Sequence, residues 1–170
     1  MSEGFSLDVG RCSGCYACVV ACYDQNDLEP RDGSGAWRQV FTVEDGAYPD
    51  ARIGHVSLAC QHCAAAPCVA VCPSGALRRA CDPDAVVVER DVCIGCRLCS
   101  LACPFGVPRY GADGRMHKCD LCHARVAAGL EPACVRACPT RALRYGDDGE
   151  LGLAAGRRAA HRLAGEQPAG

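Results

Sequence analysis

Apolar and β-branched residues fall in short runs along this chain, and turn-forming residues end each run. Phe5 to Val9, Val40 to Val43, His55 to Leu58 and Val86 to Glu89 read as short strands. Ala76 to Arg79 is expected to pair with Val86 to Glu89 as a hairpin around Asp82-Pro83-Asp84. Ala142 to Tyr145 is expected to be the corresponding strand later in the chain. Short helices are expected over Cys18 to Cys22, Cys68 to Cys72, Cys99 to Cys103 and Cys134 to Cys138. This alternation of brief strands and helices predicts an α+β fold. Asp24 to Gly54, rich in Gly, Asp and Pro, reads as an inserted surface loop or hairpin (24–54) with Trp37 as its anchor. The tail 148–170 contains Gly149, Gly152, Gly156 and Gly165 and predicts at most a weak helix from Leu153 to Leu163.

Composition changes the picture. A chain of 170 residues is one domain or two small ones. Only 5% of the residues are aromatic, with Trp37 the single tryptophan, so large side chains supply little core volume. Cysteine is instead abundant, at seventeen residues. That density means a disulfide scaffold or a metal-binding protein. The odd count fits disulfides poorly. Residues Met1 to Val9 also lack the basic and apolar regions of a secretory leader, and no twin-arginine signal precedes Cys12. No stretch approaches the roughly 18 uninterrupted apolar residues of a membrane span.

The cysteines fall into four groups. Cys12, Cys15, Cys18 and Cys22 have two, two and three residues between them. Cys60, Cys63, Cys68 and Cys72 have two, four and three. Cys93, Cys96, Cys99 and Cys103 repeat the first spacing, and Cys119, Cys122, Cys134 and Cys138 have two, eleven and three. Pro73, Pro104 and Pro139 follow the last cysteine of groups two, three and four, where group one has Tyr23. Arg11 to Cys22 matches Val92 to Cys103, and Cys68 to Leu77 matches Cys134 to Leu143. These matches predict one domain, 1–147, duplicated as about 5–80 and 83–147, with eight cysteines in each part.

This spacing suits a cubane iron–sulfur cluster. Cysteines two residues apart on a tight loop aim several thiolates at one small object, and the glycine between them lets backbone N–H groups approach its sulfurs. The fourth cysteine lies about one helical turn beyond the third and faces a different space. In two-cluster ferredoxins it ligates the other cluster. The proline after it holds its cysteine extended and ends the helix. The expected fold is therefore ferredoxin-like, with four 4Fe–4S clusters on sixteen of the seventeen cysteines. Sixteen thiolates and four +2 cores would take the formal charge from −2 to roughly −10, which argues against a nucleic-acid partner.

Other residues have lesser readings. Cys81 stands outside every group, in an expected turn, and reads as an ordinary free thiol. His62, His117 and His123 lie near cluster cysteines and suit hydrogen bonds. Lys118 and Arg97 either raise nearby cluster potentials or stand as solvated surface charges. No nucleotide-binding glycine loop and no Ser/His/Asp arrangement is evident, so no catalytic residue is assigned.

The segments CSGCYACVVAC, CQHCAAAPCVAVCPSGAL, VVVERDVCIGCRLCSLACPFGVPRY and HKCDLCHARVAAGLEPACVRACPTRAL carry a family resemblance. The chain resembles the four-cluster iron–sulfur subunit of dimethyl sulfoxide reductase and its relatives, which partner molybdenum- or tungsten-pterin enzymes. The resemblance implies a first cluster on Cys12, Cys15, Cys18 and Cys138, and a second on Cys119, Cys122, Cys134 and Cys22. It implies a third on Cys93, Cys96, Cys99 and Cys72, and a last on Cys60, Cys63, Cys68 and Cys103, with electrons passing in that order from the pterin end. The second redox partner would be a membrane quinone subunit or a flavin subunit. The expected location is the cytoplasm, with export on a partner's signal as the alternative.

The expected function is a non-catalytic relay subunit between a pterin-bearing catalytic subunit, of dimethyl sulfoxide reductase or aldehyde oxidoreductase type, and that second partner. One rival is a free-standing polyferredoxin serving a hydrogenase or carbon monoxide dehydrogenase. Another is a zinc-stapled interaction scaffold. Anaerobically purified chain is expected to hold about sixteen iron and sixteen acid-labile sulfide atoms. Eight irons or fewer in a fully reconstituted sample would refute four clusters.

Overall fold

The structure, a computed structural model, describes residues 3–29 and 35–164. It is a small mixed α/β protein whose strands form four separate two-stranded antiparallel sheets. β1 (Glu3–Leu7) pairs with β8 (Leu143–Asp147), far apart in sequence. β2 (Gln39–Asp45) and β3 (Arg52–Leu58) make a hairpin, as do β4 (Leu77–Cys81) and β5 (Asp84–Val88). β6 (Arg109–Tyr110) and β7 (Met116–His117) form the last pair. The helices are α1 (Ala17–Gln25), α2 (Pro67–Ala70), α3 (Leu98–Ala102), α4 (His123–Ala127), α5 (Ala133–Arg136) and α6 (Asp148–Leu163).

The expected hairpin forms in register Leu77↔Val88 to Cys81↔Asp84, with Asp82 and Pro83 as its turn. The first strand ends earlier than Val9 for a local reason. The Asp8 carboxylate accepts from Gly10 N–H at 3.1 Å and caps a 3-10 turn over Val9–Arg11. β5 likewise stops before Glu89, and a 3-10 turn over Arg90–Val92 follows. Asp8 N–H donates to Ala142 O, and Glu89 N–H to Ala76 O, both at 2.8 Å. The cysteine loops after β1 and β5 thus leave their strands through the same exit.

The 24–54 insertion is largely the β2–β3 hairpin, and residues 30–34 within it lie outside the described residues. Trp37 anchors it as expected: its Nε1–H donates to Nδ1 of His117, 80 residues away. The tail is more regular than its glycines suggest. α6 starts at Asp148 because the Asp147 carboxylate accepts from Gly149 and Glu150 N–H at 2.9 and 3.2 Å. Asp148 and Glu150 complement the positive end of its dipole. Arg158 then ties the helix to Asp8 across 3.1 Å, with the Asp8 side chain only 8% exposed. Residues 165–170 of the tail lie outside the described residues.

No single apolar core exists among the described residues. Three small clusters take its place, and each contains cysteine. Cys18 and Cys134 pack with Val40, Val135 and Leu143; Cys60 and Cys119 with Ala59 and Val107; and Cys99 with Leu77, Val86 and Met116.

Two glycines separate backbone strain from packing. Gly95 has φ +68, and an added Cβ would meet the Gly114 carbonyl oxygen at 2.7 Å. Gly106 has φ +58, but nothing lies within 4 Å of its added Cβ. Gly106→Ala is expected to cost about 1 kcal/mol for the left-handed backbone alone, and Gly95→Ala about 2–4 kcal/mol. Anaerobic denaturation followed by the visible cluster absorbance measures both. Equal midpoints would overturn the steric account.

Candidate metal centres

Each thiol set is built on a loop whose backbone turns inward. Gly14 and Gly95 have φ +65 and +68, and the non-glycine residues Tyr16 and Arg97 have φ 61 and 64 just before α1 and α3. A left-handed residue after a right-handed one brings successive N–H groups to one side of the loop, a concavity that suits anions. His62, Leu121 and Cys122 also have positive φ, of 44, 68 and 52, in the other two loops.

Two cavities have thiol walls. One is lined by Cys12, Cys15, Cys18 and Cys138, with Val40, Ser57 and Leu143 behind them. The other is lined by Cys72, Cys93, Cys96 and Cys99, with Tyr110 and Met116. Each therefore joins three cysteines of one group to the last cysteine of another. Elsewhere, α1, which carries Cys22, packs against α5, which carries Cys134, and burial first, with Cys134 among the lesser causes, raises the pKa of Cys22, Cys119 and Cys122. Cys60 and Cys103 act on Cys68 in the same way. Arg79 braces the loop at Cys63, donating to Cys63 O at 2.6 Å and to His62 O at 3.1 Å.

Packing changes the expected order of the sets. Cys60 and Cys103 pack with Cys119, whereas Cys93 and Cys99 pack with Cys68 and Cys72. The set of Cys60 therefore adjoins that of Cys119, and the set of Cys93 lies beyond it. The last two sets exchange places relative to the order implied by resemblance.

Electrostatics divides the thiols. Burial pushes Cys119 well up and Cys122 to about 11, and it raises Cys18, Cys22 and Cys68. Cys72 and Cys138 behave oppositely. Burial still acts on them, but donors outweigh it: the N–H groups of Leu77, Ala76 and Ser74 with the Ser74 hydroxyl at Cys72, and those of Leu143, Ala142 and Thr140 with the Thr140 hydroxyl at Cys138. Both hydroxyls stand 3.7 Å from the sulfur. Cys22 has the backbone N–H groups of Arg38 and Trp37 and, at 3.7 Å, Nδ2 of Asn26 as donors. Met116 N–H reaches Cys93 and His62 N–H reaches Cys60, each at 3.4 Å, and the Tyr110 hydroxyl is 3.2 Å from Cys99.

The remaining candidates separate clearly. His62 is buried and neutral: burial, then Lys118, Arg79 and Arg38, lowers its pKa to about 3, and Nδ1 accepts from Val86 N–H at 3.1 Å. Lys118 is 4% exposed, so it is no surface charge; Nζ donates to the carbonyls of Val86 and Cys119. The Arg97 guanidinium lies 5.0 Å from the Tyr110 ring centre. His123 opens α4. Cys81 is exposed at the end of β4, on a surface cavity with Arg78, Arg79 and His123, and lines neither thiol-walled cavity.

Arg38 is the functional residue that sequence reasoning missed. It is 2% exposed, lies 4.7 Å over the Phe5 ring, and donates through Nη1 to Ser57 Oγ at 3.2 Å. Ser57 Oγ is itself 3.4 Å from Cys18 Sγ. Burial disfavours the guanidinium charge, but Cys134, Cys119 and Cys18 overcome it and hold the pKa above the usual value. A signal was present: Ala36, Arg38 and Val40 are buried at strand period, and Arg38 falls on their inward face.

The donor set fits iron–sulfur clusters. Among the described residues, no three His, Cys, Asp or Glu side chains converge as a single-ion site requires. One zinc ion would draw its thiolates to about 3.8 Å from one another. Here thiols surround cavities, N–H groups face several of the sulfurs, and buried cations stand nearby.

A family profile described as the 4Fe-4S dicluster domain matches residues 52–148, and one described as a 4Fe-4S binding domain matches residues 10–23. The chain belongs to the 4Fe-4S dicluster family. This 4Fe-4S protein is similar to the probable anaerobic dimethyl sulfoxide reductase chain YnfG of Escherichia coli (strain K12), with 43% identity over 141 residues, covering 78% of this chain and 67% of the relative. It is similar to the thiosulfate reductase electron transfer subunit PhsB of Salmonella typhi, with 44% identity over 132 residues, 75% of this chain and 67% of PhsB. A sulfite dehydrogenase subunit of Allochromatium vinosum is 38% identical over 133 residues, 71% of this chain and 55% of the relative.

Proposed function

We propose that this chain is the non-catalytic electron-transfer subunit of an oxidoreductase complex and relays electrons through four 4Fe–4S clusters. The observation that carries the reading is the interleaving of thiols, in which three cysteines of one group share a cavity with the last cysteine of another. Cys12, Cys15, Cys18 and Cys138 would hold the first cluster, and Cys22, Cys119, Cys122 and Cys134 the second. Cys60, Cys63, Cys68 and Cys103 would hold the next, and Cys72, Cys93, Cys96 and Cys99 the one at the far end. Bound clusters supply one-electron exchange at potentials within about −700 to +450 mV.

The chain's own residues make such a relay possible. The first and second sites, and the third and fourth, exchange one cysteine each and so share backbone, while the second and third meet through the packing of Cys60 and Cys103 with Cys119. N–H donors at Cys72 and Cys138 stabilise thiolates at those two crossing points. The exits from β1 and β5 are alike, and each of those strands pairs with the strand that follows a Cys-Pro step. This likeness supports a duplicated ferredoxin-like fold within 1–147. Among the described residues, no helix is long and apolar enough to cross a membrane. In this reading the relay works on the cytoplasmic side. Its partners are a molybdenum- or tungsten-pterin catalytic subunit and a second redox subunit. The names of the relatives, chains and subunits of reductases and a dehydrogenase, support the first of these.

The crossing has a direct test. Cys12→Ser with Cys138→Ser is expected to remove one cluster, or about four irons, whereas Cys134→Ser with Cys138→Ser removes two. Equal losses in the two double variants, by iron assay and by electron paramagnetic resonance of the dithionite-reduced protein, would defeat the pairing.

The complex has its own test. The face around Cys12 to Cys18 and Cys138 is expected to bind the pterin subunit, so an anaerobic pull-down with metal analysis should recover molybdenum or tungsten with the chain. A chain that purifies alone, and binds no such protein at micromolar concentration, would replace the subunit by a free-standing polyferredoxin.

A further inference from the structure

Arg38 is buried where two thiol sets meet. Ser57, which its Nη1 engages at 3.2 Å, lines the cavity of Cys12, Cys15, Cys18 and Cys138. The guanidinium lies 4.7 Å over the Phe5 ring, and Phe5 packs against both the cluster of Cys18 and Cys134 and the cluster of Cys60 and Cys119. The side chain is 2% exposed, so water does not compensate its charge. Its Nε and Nη2 have no hydrogen-bond partner among the described residues.

A fixed, buried cation with two nitrogens left without a hydrogen-bond partner calls for acceptors at that place. Buried N–H groups without acceptors are rare and call for an explanation. Sulfur atoms of clusters held by the flanking cysteines would be such acceptors. Lys118 makes the contrast. It is also buried near Cys119, but its ammonium donates to two backbone carbonyls. Lys118 is therefore anchored by the fold, whereas the Arg38 fork is anchored at one nitrogen and open at the others.

We propose that Arg38 is a positioning residue for the first two clusters: its Nε–H and Nη2–H donate to sulfur at the junction of the two sets, and its charge raises the reduction potential of both. The sign follows from electrostatics. Reduction adds negative charge, and a nearby cation in a poorly screened interior stabilises the reduced state. The proposal rests on the four-cluster reading above.

The test is a potentiometric titration, followed by electron paramagnetic resonance, of the full chain and its Arg38→Lys and Arg38→Gln variants, each checked for iron. Wild-type chain that fails to bind about sixteen irons would defeat the four-cluster reading itself, independently of Arg38. With iron in place, Arg38→Gln is expected to lower the reduced-to-oxidised ratio of two of the four clusters at least tenfold at fixed ambient potential, about 59 mV for a one-electron couple. Arg38→Lys, which keeps the charge, is expected to shift them less. A fully loaded Arg38→Gln chain with all four potentials unchanged would overturn the proposal. If Arg38→Gln loses iron, Arg38→Lys decides: full loading supports the charge role, and the same loss reduces Arg38 to a packing element and overturns it.

Discussion

Burying thiolates is the constraint on which the rest of this molecule depends. A lone thiol in an apolar interior stays protonated, as the raised pKa values of Cys18, Cys22, Cys68, Cys119 and Cys122 show. A cluster ligand must give up that proton. The chain meets the conflict by surrounding sulfur with donors and fixed positive charge. Left-handed loop residues turn N–H groups inward, Ser74 and Thr140 add hydroxyls, and Arg38 and Lys118 are buried where thiol sets adjoin. Left-handed backbone at Tyr16 and Arg97 costs about 1–2 kcal/mol each, a strain acceptable where the loop must wrap an anion.

The same constraint explains the meagre apolar core. Three clusters of small and medium side chains, each with cysteine inside, replace one continuous interior. The largest fully buried side chains are Met116, Leu121, Val86 and Pro132, and none is aromatic. Such packing leaves cavities bounded by sulfur, which inorganic clusters would fill. Stability and cofactor content are then linked: whatever binds the folded chain and not the unfolded one adds its binding free energy to folding.

Much of the arrangement was legible because cysteine spacing is a geometric instruction. The β4–β5 hairpin followed from Asp82-Pro83-Asp84 between two apolar runs, and the helices after each loop from three residues between the last two cysteines. Other features depend on distant residues and left no local sign. The pairing of β1 with β8 joins residues 140 apart in sequence, as Phe5↔Tyr145 shows. α6 outweighs its internal glycines through the Asp147 cap and the Arg158–Asp8 pair, neither of which a propensity argument weighs. Arg38 went unread because its segment looked like a loop, and the alternation that turns it inward starts at Ala36, earlier than the expected strand at Val40. The order of the thiol sets likewise has no local sign: the resemblance implies one order, while packing, with Cys60 and Cys103 against Cys119, sets a different pair side by side.

That order gives the exposed cysteines a meaning. Cys15 and Cys96 are exposed, whereas Cys60, Cys119 and Cys134 are buried. Cys15 belongs to the first set and Cys96 to the far one, each beside a buried member, Cys18 and Cys99, whereas no cysteine of the two sets between them is exposed. Apolar side chains stand out near the same two ends: Val9, Tyr16 and Val20 around the first loop, and Ile94, Leu98, Leu101 and Phe105 around the other. In a relay, the middle sites need insulation and the terminal ones need to be close to a partner, because electron exchange requires near contact. A surface that exposes sulfur ligands and apolar side chains at both ends, with Arg38 and Lys118 buried between sets, has the layout that such a task demands.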